Sequence, residues 1–395
     1  MSVVTVPADR LLPVYRRPEV VFTHGKGAWL FDETGRSYLD FISGVGVVSL
    51  GHAHEGMARA LSEQASQLAH TSNLFHHPLQ APVAERLTRL SGMDRVFLCN
   101  SGTEAVEACL KFARRFWHAQ QAPRSAFVAL EHGFHGRTMG ALSVTWDAHY
   151  RDPFGPLVGP VTFVSPRDPA ALAAAVTDQT AAIVLEPIQG EGGVRPLSKA
   201  FAKAVADACD RTGALLIVDE VQSGLGRTGL PFASSRLGLQ PDLMAVGKAL
   251  GAGFPIAAAL FSPRVADAVQ PGDHGSTYGG NVMACRAALV FLDALMTGGL
   301  LEHVQRVGAF LEAGLRRLAA EDLSITEVRG AGLMWGLEIT RDAASVVDAA
   351  RDLELLINRT SSNVIRLLPP YTITTDEVAQ ALERLGPAIR AGKPS

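Results

Sequence analysis

The sequence predicts an α/β protein: a mainly parallel β-sheet with helices on both faces, and a smaller α+β unit. Three observations carry this. Short apolar runs, each four to six residues by the usual measure of a strand (about 5–6 residues), alternate with longer amphipathic segments. The runs are continuously apolar rather than alternating, as strands covered on both faces are. Beyond about residue 296 the pattern changes to glycine-interrupted β-type stretches among helices.

The N-terminal residues, 1 to about 25, hold Pro7, Pro13 and Pro18 among scattered apolar positions and are read as an irregular arm. Ala28–Phe31 and Tyr38–Ile42 flank the turn-rich Asp32–Arg36 and make a hairpin. A glycine-rich loop, Ser43–His54, follows. Helices are expected over Gly56–Leu68 and Gln80–Leu90. Arg95–Cys99 is a buried strand that runs into Asn100-Ser101-Gly102-Thr103-Glu104 and a helix with Val106, Cys109, Ala113 and Phe116 on one side. Ala126–Leu130 leads into EHGFHGRT (Glu131–Thr138), and Ala181–Leu185 into EPIQGEGG (Glu186–Gly193). A helix over Lys199–Arg211 precedes two strands, one ending at Asp219-Glu220 and one at Gly247-Lys248. Helices follow over Leu300–Ala320 and Ala343–Leu355, with β-type stretches through EVRGAGLMWGLEI and a strand over Asn363–Leu368. The last helix runs from Thr375 toward Ala391, with Gly386-Pro387 a candidate break. The division predicted is an arm and hairpin over 1–44, joined to a C-terminal small domain over 296–395, around a large domain over 45–295.

Composition narrows the class of function. The chain has 395 residues, 47% hydrophobic and 19% charged, with a net charge of −3. That is ordinary globular composition and offers no basic surface for nucleic acid or anionic membrane. No apolar run approaches the length of a membrane span, and the N-terminus lacks the basic and apolar regions of a secretory signal. The four cysteines, Cys99, Cys109, Cys209 and Cys285, form no CxxC pair, which suits a reducing cytoplasm.

The chemistry converges on Lys248. Ligands of open α/β sheets bind beyond the carboxyl ends of strands, and two adjacent apolar strands would deliver Asp219 and Lys248 there. Val246, Gly247, Ala249 and Leu250 surround the lysine with poorly hydrating neighbours. Desolvation favours the neutral amine, a nucleophile and Schiff-base former. A Schiff-base lysine with an aspartate for a pyridinium nitrogen is the pairing of a pyridoxal phosphate (PLP) enzyme. The competing reading is a surface lysine beyond a buried strand. Ser101-Gly102-Thr103 lies where a strand meets a helix N-terminus, a phosphate site by its free amides and dipole. Ser101 and Glu104 also spell a capping box, and the two roles are compatible.

Other motifs fail on context. Gly224-x-Gly226-x-x-Gly229 matches a dinucleotide fingerprint, but Leu230-Pro231 follows where a helix should start. Gly247-Lys248 lacks the upstream glycine and following hydroxyl of a P-loop. His132 and His135, like His52 and His54, sit among glycines without a completing ligand set, so no metal is expected.

Six blocks, NSGTEA, EHGFHGRT, EPIQGEGG, DEVQSGLGRTG, GKALGAGFP and GSTYGGN, resemble the class III aminotransferases of PLP fold type I, in that family's order and spacing, from about residue 12 to about 390. HTSNLF (His70–Phe75), GDHGSTYGGN and RGAGLMWGLEI resemble the acetylornithine aminotransferases within it. RTMGALSVTW (Arg137–Trp146) also resembles the aminotransferases of lysine biosynthesis.

The resemblance implies roles. Lys248 would be the Schiff-base lysine and the proton carrier, and Asp219 would hold the pyridine nitrogen protonated. Gln222 would bond the ring hydroxyl and Phe134 stack on the ring. Ser101, Gly102 and Thr103 would hold the phosphate. Thr277 would reach the phosphate of a neighbouring subunit, with Ser276 beside the substrate, implying a homodimer with shared sites. Arg137 would bind a substrate carboxylate and Arg366 the α-carboxylate of glutamate, with Glu191 covering Arg366 when the donor is bound. The expected reaction passes the terminal amine of N2-acetylornithine to 2-oxoglutarate. A blocked lysine as donor, or an aminomutase on the same fold, are the alternatives. Ala252, Val282 and Glu55 depart from residues frequent in the family, and none is a chemical group of the site.

Overall fold

The computed structural model describes residues 10–391. Of the expected N-terminal arm, residues 1–9 lie outside the described residues. The rest of the arm is irregular, and Leu11, Leu12, Val14 and Tyr15 are exposed.

Strands β1 (Phe22–Lys26), β2 (Trp29–Asp32) and β3 (Ser37–Asp40) form an antiparallel sheet. The predicted hairpin is β2–β3. The added strand β1 is largely exposed and carries no apolar pattern to announce it.

The central sheet has seven strands: β4 (Arg95–Cys99), β5 (Ala126–Leu130), β6 (Val161–Val164), β7 (Thr180–Leu185), β8 (Leu215–Asp219), β9 (Leu243–Val246) and β10 (Ala257–Phe261). Their order is β4-β10-β9-β8-β7-β5-β6. Only β10 runs antiparallel to its neighbours.

The longer helices are α1 (Glu55–Ala65), α2 (Gln80–Ser91), α3 (Gly102–Ala119), α4 (Lys199–Thr212), α5 (Val282–Met296), α6 (Leu300–Glu321), α7 (Ala344–Asp352) and α8 (Thr375–Ala391). Successive strand residues serve opposite faces. Phe127, Ala129 and Ile217 pack with Val106, Cys109 and Phe116 of α3. Val128, Leu130 and Val218 pack with Phe201 and Val205 of α4. That two-sided burial explains why the strands read as unbroken apolar runs.

At the C-terminal end, β11 (Ile325–Ala331), β12 (Met334–Ile339), β14 (Asn358–Thr360) and β15 (Val364–Leu367) form an antiparallel sheet in the order β11-β12-β15-β14. Between them β13 (Leu355–Leu356) joins β3 in parallel and ties the two ends of the chain together. Helix α8 continues through Pro387, correcting the break anticipated there. Leu385, Ala388 and Ile389 are buried on both sides of the proline, so packing holds the axis despite one missing amide bond. No single helix among the described residues is long and apolar enough to cross a membrane.

Candidate active site

Neighbouring strands β8 and β9 bring the acid and the amine together. Asp219, the last residue of β8, pairs in register with Ala245, and Lys248 lies two residues beyond the end of β9. Both line a cavity of about 270 Å³ at the carboxyl ends of the strands, with Gly102, Thr103, Phe134, Arg137, Glu191 and Gln222. Lys248 has φ +40°, in the left-handed region that an L-residue enters at a cost of about 1–3 kcal/mol. Its backbone is thus bent to turn the side chain at the strand end. Its amine has no hydrogen-bond or ion-pair partner among the described residues. Burial pushes its pKa below the ordinary lysine value, against the opposing pull of Glu191.

Asp219 is held from two directions. Its Oδ1 accepts from the amide of Val221 at 3.0 Å, and its Oδ2 from His135 Nδ1 at 2.8 Å. His135 is buried, and its Nε2 has no partner among the described residues. Burial disfavours the imidazolium, but the bond and charge of Asp219 outweigh it and raise the pKa. Glu186 lies beneath, accepting from the amides of Phe134 and Gly190, each at 2.9 Å. Burial lifts its pKa to about 7, although His135 draws it down. From sequence alone His135 is a candidate only for a metal ligand, and Glu186 has no role. The EHGFHG and EPIQGEGG blocks display both residues, but only the fold shows them meeting at Asp219.

On the phosphate side both readings of Ser101 meet. Its hydroxyl caps α3 by accepting from Glu104, and Glu104 reaches back to the amides of Asn100 and Ser101. That leaves the first-turn amides of Gly102 and Thr103 without helical partners. A Cβ on Gly102 would fall 2.6 Å from Val221 Cγ1, so the backbone there cannot carry a side chain. Thr103 Oγ1 accepts from the amides of Arg137 and Thr138 at 3.2 and 3.3 Å, anchoring the arginine's loop to the helix start.

Two arginines bracket the cavity in different states. Arg137 is exposed at its mouth, with its guanidinium 3.6 Å from the ring centroid of Tyr150 and 5.5 Å from that of Phe134. Arg366, on β15, is 1% exposed. It is ion-paired through Nη1 to Glu191, and it donates to Gln222 Oε1 at 3.2 Å and to Asn358 Oδ1 at 3.4 Å. Gln222 also donates to Glu191 at 3.4 Å. Burial would raise the pKa of Glu191, but the Arg366 guanidinium prevails and holds it below the ordinary value. A Cβ on Gly190 would meet Gln222 Oε1 at 2.2 Å, so the loop needs glycine to seat this cluster.

Ser276 and Thr277 are not brought to Lys248 within one chain. They line a separate cavity of about 580 Å³ with Asn100 and Tyr278, and Asn100 donates to Ser276 Oγ at 3.4 Å.

These residues fit pyridoxal phosphate. The unpartnered amine of Lys248 is free to bond the cofactor. Asp219, oriented by His135, suits a protonated ring nitrogen, and the first-turn amides of Gly102 and Thr103 suit a phosphate.

Comparison with known proteins agrees. The acetylornithine aminotransferase of Methanothermobacter thermautotrophicus is 44% identical over 379 residues, 96% of each chain. That of Archaeoglobus fulgidus is also 44% identical, over 94% of this chain and 96% of its own. Among solved structures, the N-acetylornithine aminotransferase of Stenotrophomonas maltophilia superposes with a TM-score of 0.83 at 36% identity, covering 95% of this chain and 96% of its own. The ornithine aminotransferase of Toxoplasma gondii gives a TM-score of 0.92 at 34% identity, covering 97% and 93%. With the profile of the aminotransferase class-III family matching residues 13–389, the chain belongs to that family of PLP-dependent aminotransferases.

Proposed function

We propose that this enzyme passes the terminal amine of N2-acetylornithine to 2-oxoglutarate by a ping-pong reaction, releasing N-acetylglutamate 5-semialdehyde and glutamate, in the cytoplasm and in arginine biosynthesis. The observation that carries the reading is the unequal state of two carboxylate receptors around one lysine: Arg137 open at the mouth, Arg366 covered by Glu191. The names of the relatives support the donor.

When bound, pyridoxal phosphate accepts the amine and delocalises the electrons left by C–H cleavage at the carbon that bore it. The chain's residues do the rest. Lys248, its ammonium disfavoured by burial, moves the proton at that carbon. Asp219 holds the proton on the ring nitrogen, fixed in place by His135. Arg137 receives the carboxylate far from the reacting carbon, which both substrates carry. Only the oxo acid has a second carboxylate next to the reacting carbon, and Arg366 receives it after Glu191 withdraws. The donor has none there, so Glu191 stays on Arg366 and neutralises it.

The division into a large domain and a small one built from both termini belongs to this reading, and the β3–β13 pairing supports it. So does a homodimer with shared sites: the exposed arm and the separation of Ser276 and Thr277 from Lys248 leave them to serve a second copy.

The test is a half-reaction followed through the visible cofactor band. N2-acetylornithine, N2-acetyl-lysine, ornithine and 4-aminobutyrate are added separately to the PLP-loaded enzyme without any oxo acid. Rapid bleaching by acetylornithine alone supports the proposal. Comparable rates with acetyl-lysine would mean one enzyme serving both diamines, since a single methylene is worth only about 1–3 kcal/mol in a pocket. No bleaching by any donor would defeat the assignment and bring an aminomutase forward.

A further inference from the structure

A second polar cavity lies at the root of the loop that carries Glu191. Residues Ile188–Gln189 and Arg195–Pro196 form a short antiparallel ladder, with Gln189 opposite Arg195, and Glu191 sits in the turn between them. The far side of this ladder faces a cavity of about 380 Å³ lined by Arg167, Arg195, Arg329, Gln189, Glu327 and Ser198.

The cavity is rich in unspent donors. The Arg167 guanidinium has no hydrogen-bond or ion-pair partner among the described residues. Arg329 is 8% exposed, and its Nη2 is buried without a partner. Its Nη1 is bonded to Glu327 at 2.5 Å and Glu338 at 2.6 Å. Arg195 reaches Glu338 only at 3.7 Å, and burial together with the nearby Arg329 lowers its pKa. Ser198, which also lines the cavity, caps the fourteen-residue helix α4, so the positive dipole end of that helix lies beside it. Three guanidiniums crowd here against two carboxylates.

Two of the arginines also hold the Glu191 loop from behind. Arg195 Nε donates to Gly192 O at 2.9 Å, and Arg329 Nε donates to Gly193 O at 2.8 Å.

We propose that this cavity is a regulatory site for a small dianion, orthophosphate or a short dicarboxylate, whose binding keeps the loop in the position that seats Glu191 on Arg366. The anion relieves repulsion among the arginines and steadies their bonds to Gly192 and Gly193. It therefore opposes entry of the oxo acid and leaves the donor half-reaction unchanged. The binding site stands on its own geometry; its effect on turnover rests on the roles of Glu191 and Arg366 proposed above.

The test titrates orthophosphate, and separately succinate, into the PLP-loaded enzyme by calorimetry, and compares Arg167→Gln and Arg195→Gln. Arg167 is exposed and outside the catalytic machinery, so Arg167→Gln is expected to fold and to keep basal transamination. Saturable binding that weakens about tenfold in each variant, as loss of a charge-assisted contact predicts, supports the proposal, and the stronger of the two probes identifies the source. Absence of saturable binding overturns it. Binding that is equal in wild type and both variants overturns it too, by placing the anion elsewhere. The anion should raise KM for 2-oxoglutarate about fivefold or more, and no change in KM would overturn the regulatory role. Glu191→Gln separates the two readings. It should still bind the anion but lose the effect on KM. If Glu191→Gln leaves KM for the oxo acid untouched without anion, the covering role of Glu191 fails, while the titration still decides the site.

Discussion

Replacing Glu191 with glutamine removes the charge from the sole carboxylate partner of Arg366 among the described residues. The guanidinium is 1% exposed and would keep neutral acceptors, Gln222 Oε1 at 3.2 Å and Asn358 Oδ1 at 3.4 Å. The glutamine amide would still accept from the charged guanidinium, so what is lost is the charge–charge attraction, a part of the roughly 4 kcal/mol between unit charges at short range in a protein. The oxo acid must displace this partner before its own carboxylate can be received. Weakening the partner by about 1–2 kcal/mol should therefore lower KM for 2-oxoglutarate by about fivefold to thirtyfold. The donor half-reaction should move the other way. An uncovered Arg366 repels the incoming ammonium, and kcat/KM for acetylornithine should fall. The apoenzyme should also lose stability, by up to about 3–5 kcal/mol if nothing else compensates the buried guanidinium. The assay follows each half-reaction separately by stopped-flow absorbance, with circular dichroism to establish folding. A folded variant whose KM for the oxo acid is unchanged or higher would refute the reasoning.

Three further outcomes are expected. The Glu186 carboxyl, raised by burial from 4.5 to about 7 in the fold, binds more protons folded than unfolded between those values. Stability of the apoenzyme should thus fall as pH rises from about 4.5 to about 7, on the order of 3 kcal/mol in all. His135, raised above 6.5, extends the same loss to higher pH, and urea midpoints against pH should show a flatter profile for Glu186→Gln. Gly136→Ala should fail where Gly27→Ala is tolerated: at φ +134° its Cβ would lie 2.2 Å from Thr103 Oγ1, whereas Gly27 at φ +57° has nothing within 4 Å. The expected costs are about 3 kcal/mol or more against about 1 kcal/mol, read as thermal midpoints. Arg137→Lys should raise KM for donor and oxo acid together, because an ammonium loses both the guanidinium's close contact with the Tyr150 ring and the bidentate fork; unchanged constants would remove Arg137 from the site.

Much of the fold was legible because burial on two faces leaves a plain record: unbroken apolar runs at β5, β7, β8 and β9, each stopped by a polar or glycine turn. Strand β10 is an equally unbroken apolar run but is built from a weak strand former. Its sequence, AAALF, lacks β-branched residues, and its place between β4 and β9 comes from antiparallel pairing with β9 just before it and with β4 far upstream. Helix α5 is hidden for a different reason: apolar almost all round, it shows little amphipathic face. The approach of Asp219 and Lys248 followed from sequence, since consecutive parallel-type strands place their carboxyl ends side by side. The contacts around them belong to tertiary structure. His135 meets Asp219 across 84 residues, and Arg366 meets Glu191 across 175. Sequence determines which groups a strand end presents, because backbone geometry is local. Which buried charges then face one another, and which of them titrate near neutrality, is decided only when distant segments pack and exclude the water between them.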